Sequence, residues 1–237
     1  MTSYSGFNLV ATKCCGAVYS TPRYSSINMS ASEYWTDGAR VHSLMPTDGG
    51  LRRCKCGTLY LMKSTFNVGF EEERTAPNPQ FVNDSELEGL LKTDLSPEVE
   101  TVVRRRYWRF LNEPYRDLYR AHREIEDLKF QRRNGFFNKI LKKIGLLRGE
   151  PANGEKFTVP DFVPSQDFCN NLECLLALIG ASESHDHLEI TEILRELSRF
   201  EEAEKALVML ADDVSTTANL LRQLVGERAS APYRYRM

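Results

Sequence analysis

The sequence predicts an α+β protein, in which a small β-rich module at the N-terminus precedes a mainly α-helical, repeat-like domain. Residues 1–70 contain short β-prone runs separated by turn residues. From about residue 84 onwards the apolar residues recur with the period of an α-helix. The β-rich part also contains a cysteine-glycine turn twice, as "KCCGAVY" and "KCGTLY".

The composition of the chain indicates its compartment and the state of its cysteines. The chain has 237 residues, 41% of them hydrophobic, and a formal net charge of −2. It contains no long apolar run and no basic start followed by an apolar stretch, so we expect a cytoplasmic protein. In that reducing compartment, six cysteines indicate metal binding or buried thiols before disulfides.

The β-rich module, residues 1–70, is predicted from four strand-like runs: "GFNLVATK", "GAVYSTP", "ARVHSLM" and "GTLYLMKS". The segments "TDG" at 36–38 and "TDGG" at 47–50 supply turns. A sheet this small buries little apolar surface, so it needs an additional staple such as a metal ion.

Four cysteines of this module, Cys14, Cys15, Cys54 and Cys56, are the predicted metal ligands. Two cysteine turns, each followed by glycine, can surround one Zn²⁺ ion with four thiolates, and four protein ligands make a structural site. The spacing departs from the usual Cys-x-x-Cys-Gly, because Cys14 and Cys15 are adjacent and one residue separates Cys54 from Cys56. His42 is an alternative fourth ligand, and a pair of metal-free turns with buried thiols is the other interpretation.

Residues 71–83 are predicted to be a linker, and residues 84–148 a basic helical segment. Ser96 and Pro97 suit a helix start, with Val99, Val103, Tyr107 and Phe110 on the buried face behind them. A second helix is expected from about residue 115 to 133, and a short amphipathic one over 135–149.

Residues 149–164 read as a loop, and residues 165–237 as an acidic helical domain. Its helices are expected at 166–180, 187–198, 201–211 and 214–226. Cys169 and Cys174 are predicted to be buried or nearly buried thiols. Residues 104–148 hold fourteen basic and five acidic residues, whereas residues 149–213 hold four and fifteen, so the acidic part is the simplest partner of the basic part.

The segment "HLEITEILRELSRFEEAEKALVML" resembles one unit of the tetratricopeptide (TPR) type, with Ser198, Phe200 and Ala203 at its small, aromatic and alanine positions. With the two cysteine turns, the chain resembles bacterial proteins of uncharacterised function that join a zinc-ribbon-like module to a short TPR-like helical domain. This resemblance implies protein–protein interaction and brings no activity with it. An ordinary helical hairpin is the alternative.

Patterns of catalysis are missing from the sequence. It has no phosphate-binding glycine loop, no G-x-S-x-G turn and no H-E-x-x-H helix, and nothing in it identifies a small-molecule substrate. His185, Asp186 and His187 form a solvated segment that caps a helix. We therefore predict a non-enzymatic protein-interaction protein, an adaptor or regulator with a structural zinc site and a protein partner.

Nucleic-acid binding is the alternative function. Zinc ribbons often bind nucleic acid, and Arg104, Arg105 and Arg109 place cations beside Trp108 on one face of the basic helix. Membrane binding is not expected, because the basic amphipathic segment 135–148 is short and better suited to packing.

Overall fold

The computed structural model describes residues 3–26, 31–41, 49–134, 161–182, 186–211 and 213–235. Within these residues the chain is α+β, as predicted: small antiparallel sheets come first and six helices dominate the rest. The predicted amphipathic helix over 135–149, His42 and His185 lie outside the described residues. Among the described helices, none combines the length and apolar character that crossing a membrane requires.

Three three-stranded sheets hold the described strands, with orders β2-β1-β7, β4-β3-β9 and β6-β5-β8. Every pairing is antiparallel. The strands are β1 (Ser3–Ala11), β2 (Val18–Ser26), β3 (Glu33–Trp35), β4 (Arg40–Val41), β5 (Leu51–Arg53), β6 (Leu59–Leu61), β7 (Phe66–Glu71), β8 (Gln80–Phe81) and β9 (Arg234–Tyr235). The β1–β2 and β5–β6 hairpins matter most, because each ends in one of the cysteine turns.

The helices are α1 (Leu87–Leu90), α2 (Pro97–Asn134), α3 (Gln166–Gly180), α4 (His187–Glu196), α5 (Phe200–Val208) and α6 (Thr216–Gly226). Ser165, Asp186 and Ser215 precede α3, α4 and α6, and each side chain accepts a hydrogen bond from a first-turn backbone N–H. These caps explain why the predicted starts agree with the structure to within about two residues.

Helix α2 differs from prediction, since one helix replaces the two expected around residues 97–133. It continues through Pro114, although proline has no N–H for the helical hydrogen bond. The chain divides into two compact units. One unit contains residues 1–111 and 164–237, and the other contains residues 112–163, so α2 contributes to both. The domain boundaries proposed from composition stay a prediction; the segment 71–83 contains β8, which pairs with β5.

One apolar cluster joins the β5–β6 hairpin to α1 and α2. It consists of Leu51, Leu61, Val82, Leu87, Val99, Val103 and Tyr107. The predicted buried face of α2 is thus correct at its first three positions. Phe110 is the exception: it is 44% exposed and stacks on Tyr107 at the end of the cluster, with ring centroids 6.3 Å apart. The helical period of the apolar residues identifies which face of α2 is directed towards the core. The elements that pack against this face determine how much of it is shielded from solvent.

Helices α4, α5 and α6 pack around Leu194, Ala203 and Val225. The turn between α4 and α5 places Ser198 at φ +60°, where a small polar residue is tolerated. The helical hairpin is therefore present, and its TPR character stays a prediction. Cys169 is half-buried, as expected of a nearly buried thiol, whereas Cys174 is exposed, which corrects the expectation for that residue. Their spacing of five residues separates them around α3, because helix neighbours are three or four residues apart.

A buried polar network connects α4 to α2 and to the C-terminal segment. Arg195 and Glu196 are inaccessible to solvent and Glu192 almost so. The Arg195 guanidinium donates to both Glu192 carboxylate oxygens, at 2.8 and 2.6 Å, and to the Ala231 carbonyl at 2.8 Å. Trp108 Nε1 donates to Glu196 Oε2 at 2.6 Å. Buried charges persist only when they are paired in this way.

The Glu196→Gln variant is expected to alter the pH dependence of stability. Burial raises the pKa of Glu196 well above its usual value, the Glu192 and Asp37 carboxylates raise it further, and Arg195 and Trp108 only partly oppose this. The folded state therefore binds this proton more tightly than the unfolded state. The resulting stabilisation is complete below the unfolded pKa and is lost as pH rises towards the folded pKa.

Glutamine retains a carbonyl acceptor for the Trp108 N–H and cannot ionise. The free energy of unfolding of Glu196→Gln, relative to the wild type, should therefore increase as the pH rises above the ordinary pKa of a glutamate. Urea unfolding at several pH values measures this difference. A difference that does not change with pH would show that Glu196 has the same pKa in the folded and unfolded states.

Candidate metal centre

The first cysteine turn connects β1 to β2. Thr12 N–H donates to the Ala17 carbonyl at 2.9 Å, and Gly16 N–H donates to the Thr12 carbonyl at 3.0 Å. Gly16 has φ +67°, a backbone conformation that glycine adopts without strain. These bonds fold residues 12–17 into a tight loop that carries Cys14 and Cys15 at its tip.

The second cysteine turn connects β5 to β6. Cys54 N–H donates to the Thr58 carbonyl at 2.9 Å, and Gly57 N–H donates to the Cys54 carbonyl at 2.8 Å. Gly57 has φ +88° and occupies the same place in its turn as Gly16 does in the first. The two loops are built alike, although the second is one residue shorter.

The hydrogen bonds show which residues correspond in the two loops. Thr12 makes the same pair of backbone bonds as Cys54, so a threonine stands where the second loop has its first cysteine. The first loop is one residue longer and carries both Cys14 and Cys15 after Thr12. It therefore contributes two thiols, as the second loop does. The sequence analysis did not identify Thr12. Its side chain is buried, with Oγ1 3.6 Å from Cys54 Sγ.

The structure brings the four predicted cysteines together. All four sulfur atoms lie within 4.8 Å of one another. Cys15 Sγ is 3.4 Å from Cys54 Sγ, and Cys14 Sγ is 3.6 Å from Cys56 Sγ. A tetrahedral site with metal–sulfur bonds of about 2.3 Å separates its sulfurs by about 3.8 Å. All four are free thiols. The cluster therefore has the composition and spacing needed to hold a metal ion.

The four cysteines differ in burial. Cys54 is buried, in an apolar cluster with Val10, Ala17, Tyr19 and Tyr60, whereas the other three are exposed. One of the four sulfur atoms is thus fixed by the protein core, and the other three are held at the surface by their loops. A metal ion would reach the cluster from the exposed side and would bind against a rigid sulfur.

Local interactions shift the pKa values of the thiols in opposite directions. Burial raises the pKa of Cys54, but hydrogen bonds from the Cys56 backbone N–H, Tyr19 and Thr12 outweigh it and lower the pKa to about 5. Desolvation, together with the neighbouring thiols, raises the pKa of Cys14 to about 11. Hydrogen bonds with Thr58 lower the pKa of Cys56. Four thiolates this close repel one another, and a bound cation would offset that repulsion.

Tyr19 connects the strand after the first loop to the second loop. Its hydroxyl donates to Cys54 Sγ at 3.5 Å and accepts a hydrogen bond from the Lys55 N–H at 2.8 Å. Its ring stacks on Tyr60, with centroids 6.1 Å apart. A residue that hydrogen-bonds a ligand atom orients that ligand, so Tyr19 holds Cys54 in place.

The Tyr19→Phe variant is expected to weaken metal binding while leaving the ring stack on Tyr60 in place. The loss of an outer-shell hydrogen bond typically lowers metal affinity by about 10–100-fold. Competition with a chromophoric chelator measures the affinity. Tyr24→Phe, an exposed tyrosine of the same strand, is the matched control. Equal affinities for the two variants would contradict a role for the Tyr19 hydroxyl.

The residues predicted for nucleic-acid binding are mostly engaged within the protein. Trp108 is only 2% exposed and donates to Glu196, so its ring is not a stacking surface. Arg105 donates through Nε and Nη2 to the two Glu189 carboxylate oxygens, both at 2.6 Å. This ion pair joins the basic segment to the acidic domain. Arg104 Nε donates to Glu100 at 2.8 Å.

Asp186 caps α4, as expected: its Oδ1 accepts hydrogen bonds from the Leu188 and Glu189 N–H groups, both at 3.1 Å. Arg109 Nε donates to the Asp37 carbonyl at 3.2 Å, so this predicted nucleic-acid contact lies against the β3–β4 turn. Sequence reasoning missed the partners of Arg105, Trp108 and Arg109 because they are distant along the chain.

Comparison of the chain with protein-family models, with curated proteins and with solved structures finds no match. The structural description is therefore an α+β chain with a cluster of four cysteines beside small N-terminal β-sheets and a mainly helical C-terminal part.

Proposed function

We propose that Cys14, Cys15, Cys54 and Cys56 hold one Zn²⁺ ion in a structural site. The observation that carries this proposal is the mutual approach of the four sulfur atoms to within 4.8 Å, on two similar glycine-containing turns. Tetrahedral thiolate sets favour zinc over harder cations such as Mg²⁺ or Ca²⁺. Four protein ligands leave no coordination position for a substrate, so the site is structural rather than catalytic.

The ion would staple two hairpins that are distant along the chain. Cys14 and Cys15 follow β1, whereas Cys54 and Cys56 follow β5, and these strands belong to different three-stranded sheets. Because the unfolded chain offers no preformed site, the free energy of metal binding stabilises the folded module. This role fits sheets of three strands, which have little apolar core of their own.

Elemental mass spectrometry of the full chain, purified without added metal, tests the proposal. We expect about one zinc per chain, removed by a strong chelator together with a loss of thermal stability. Iron bound to four thiolates would show visible absorption and would replace zinc in the proposal. Absence of any metal, with the fold intact, would leave the cluster as four thiols.

We further propose that the protein is a non-enzymatic interaction protein that presents surfaces to a protein partner. Support comes from β7, an outer strand of its sheet, where Phe66 and Phe70 are 55% and 47% exposed. Val68, between them on the same strand, is 54% exposed as well. Exposed apolar side chains grouped on one strand are typical of protein-binding surfaces.

Affinity capture on the immobilised full chain tests this role. We expect a defined protein to be retained at high salt, and to be lost with Phe66→Ser or Phe70→Ser. Phe81→Ser is the matched control, because Phe81 is as exposed but lies in another sheet. Binding of DNA or RNA that weakens steeply with salt, with no protein retained, would favour the nucleic-acid function instead.

A further inference from the structure

The cysteine cluster can be reached by small oxidants from the protein surface. Cys14, Cys15 and Cys56 are exposed, Cys54 is buried, and all four are free thiols. The susceptibility of a cysteine to oxidation follows its exposure and its thiolate character. Exposure therefore makes three of the four sulfur atoms accessible to a reagent as small as hydrogen peroxide.

The charges of the two cysteine loops are those of a reactive site. Lys13 directly precedes Cys14, and Lys55 directly precedes Cys56. Both lysines are exposed, and neither loop contains an aspartate or a glutamate. Reactive cysteines occur in electropositive, partly exposed surroundings of this kind. Each loop thus combines an exposed sulfur with an adjacent cation.

The sulfur atoms approach one another in two pairs, and each pair joins the first loop to the second. Cys15 Sγ lies 3.4 Å from Cys54 Sγ, and Cys14 Sγ lies 3.6 Å from Cys56 Sγ. Both members of the second pair are exposed, whereas in the first pair only Cys15 is. Each pair therefore contains a sulfur that a peroxide can reach and a second sulfur beside it.

Covalent geometry disfavours a bond between the two cysteines of the first loop. Cys14 and Cys15 are adjacent, and consecutive Cα atoms lie about 3.8 Å apart across a trans peptide bond. Disulfides usually join Cα atoms that are about 4.4–6.8 Å apart. Bonds between the loops are therefore favoured over a bond within the first loop.

We propose that hydrogen peroxide converts the zinc-bound cluster into two disulfides, Cys14–Cys56 and Cys15–Cys54, and releases the ion. This inference rests on the zinc site proposed above and adds a chemical regulation of that site. The two loops are joined by the ion in the reduced protein and by covalent bonds in the oxidised protein.

Each disulfide requires one molecule of hydrogen peroxide. The exposed thiolate, Cys56 in one pair and Cys15 in the other, attacks a peroxide oxygen, the O–O bond breaks and hydroxide leaves. The thiolate of the partner, Cys14 or Cys54, then attacks the sulfenic acid, so that the S–S bond forms and a second hydroxide leaves. Each sulfur pair loses two electrons, which the peroxide gains. Two peroxides thus give two disulfides, four hydroxide ions and free Zn²⁺.

Oxidation and chelation should consequently differ in their effect on stability, although both remove the ion. Chelation under reducing conditions leaves the two loops without a link. The disulfides Cys14–Cys56 and Cys15–Cys54 would instead join residues 42 and 39 positions apart. Cross-links between distant residues restrict the unfolded chain and so stabilise the folded one. The oxidised protein should therefore unfold at a higher temperature than the chelated, reduced protein.

Titration of the zinc-bound full chain with hydrogen peroxide tests the proposal. A chromophoric zinc indicator measures release of the ion, and peptide mapping without reduction identifies the disulfides. We expect one zinc to be released for about two molecules of peroxide, together with both disulfides between the loops. Cys174 is the internal control, because it is exposed but lies outside the cluster, and it should still be a thiol when the zinc has been released. The Cys14→Ser variant should form the Cys15–Cys54 disulfide and none at Cys56.

Four results would overturn the inference and leave the zinc site standing. They are a disulfide within one loop, sulfinic or sulfonic acids in place of disulfides, zinc still bound after Cys174 has been oxidised, and an oxidised protein no more stable than the chelated one. Protein that contains no zinc as purified would instead contradict the zinc site itself, and the exchange of metal for disulfides with it.

Discussion

Replacing Cys54 with serine is expected to abolish metal binding and to unfold the β1–β2 and β5–β6 hairpins. Cys54 is the buried member of the cluster and contacts Cys15 at 3.4 Å. Binding of a structural zinc ion is worth about 10–16 kcal/mol at neutral pH, more than the total stability of many domains. Serine keeps the size of the side chain but removes the thiolate, so most of this free energy should be lost.

Elemental analysis measures the loss of metal, and thermal unfolding monitored by circular dichroism measures the loss of stability. Cys174→Ser is the matched control, because Cys174 is exposed on α3 and lies outside the cluster. We expect this control to retain its metal and its unfolding temperature. A Cys54→Ser protein that keeps the wild-type metal content would show that the remaining three cysteines and another group suffice.

Replacing Arg195 with alanine is expected to destabilise the protein by about 3–5 kcal/mol, the usual cost of removing one partner from a buried ion pair. Arg195 is inaccessible to solvent and donates to both Glu192 oxygens and to the Ala231 carbonyl. Its removal leaves the Glu192 carboxylate buried without its cation. It also releases the C-terminal segment that the guanidinium holds.

Urea unfolding at neutral pH measures this loss. Arg199→Ala is the control, since Arg199 is one-third exposed and pairs with Glu173 and Glu202 at the surface. Exposed ion pairs contribute about 0–1 kcal/mol, so the control should lose no more than that. If both variants lost equal stability, the Arg195 network would not be acting as a buried ion pair.

The cluster of four cysteines could be predicted because its signal is local. Each cysteine turn combines a thiol, a following glycine and flanking β-prone residues within about ten positions, and the second turn repeats the first. The structure places all four sulfurs together. The spacing alone could not show whether the adjacent Cys14 and Cys15 both approach the second turn. That approach depends on the longer first loop and on the position of Thr12 within it.

Among the interpretations made from the sequence, the one for the basic helix differs most from the structure. Arginine and tryptophan at helical spacing suggested an exposed surface for nucleic acid. Instead, Trp108 is buried against Glu196, and Arg105 is paired with Glu189. These carboxylates lie more than eighty residues further along the chain, so no local pattern connects them to α2.

The sequence by itself determined the α+β class, most helix boundaries and the four clustered cysteines, because periodicity, capping residues and cysteine turns act over a few residues. Tertiary structure alone decided the exposure of Phe110 and the burial of Trp108 and Arg195. Burial and ion pairing depend on which distant side chains meet, and that is settled only when the whole chain packs.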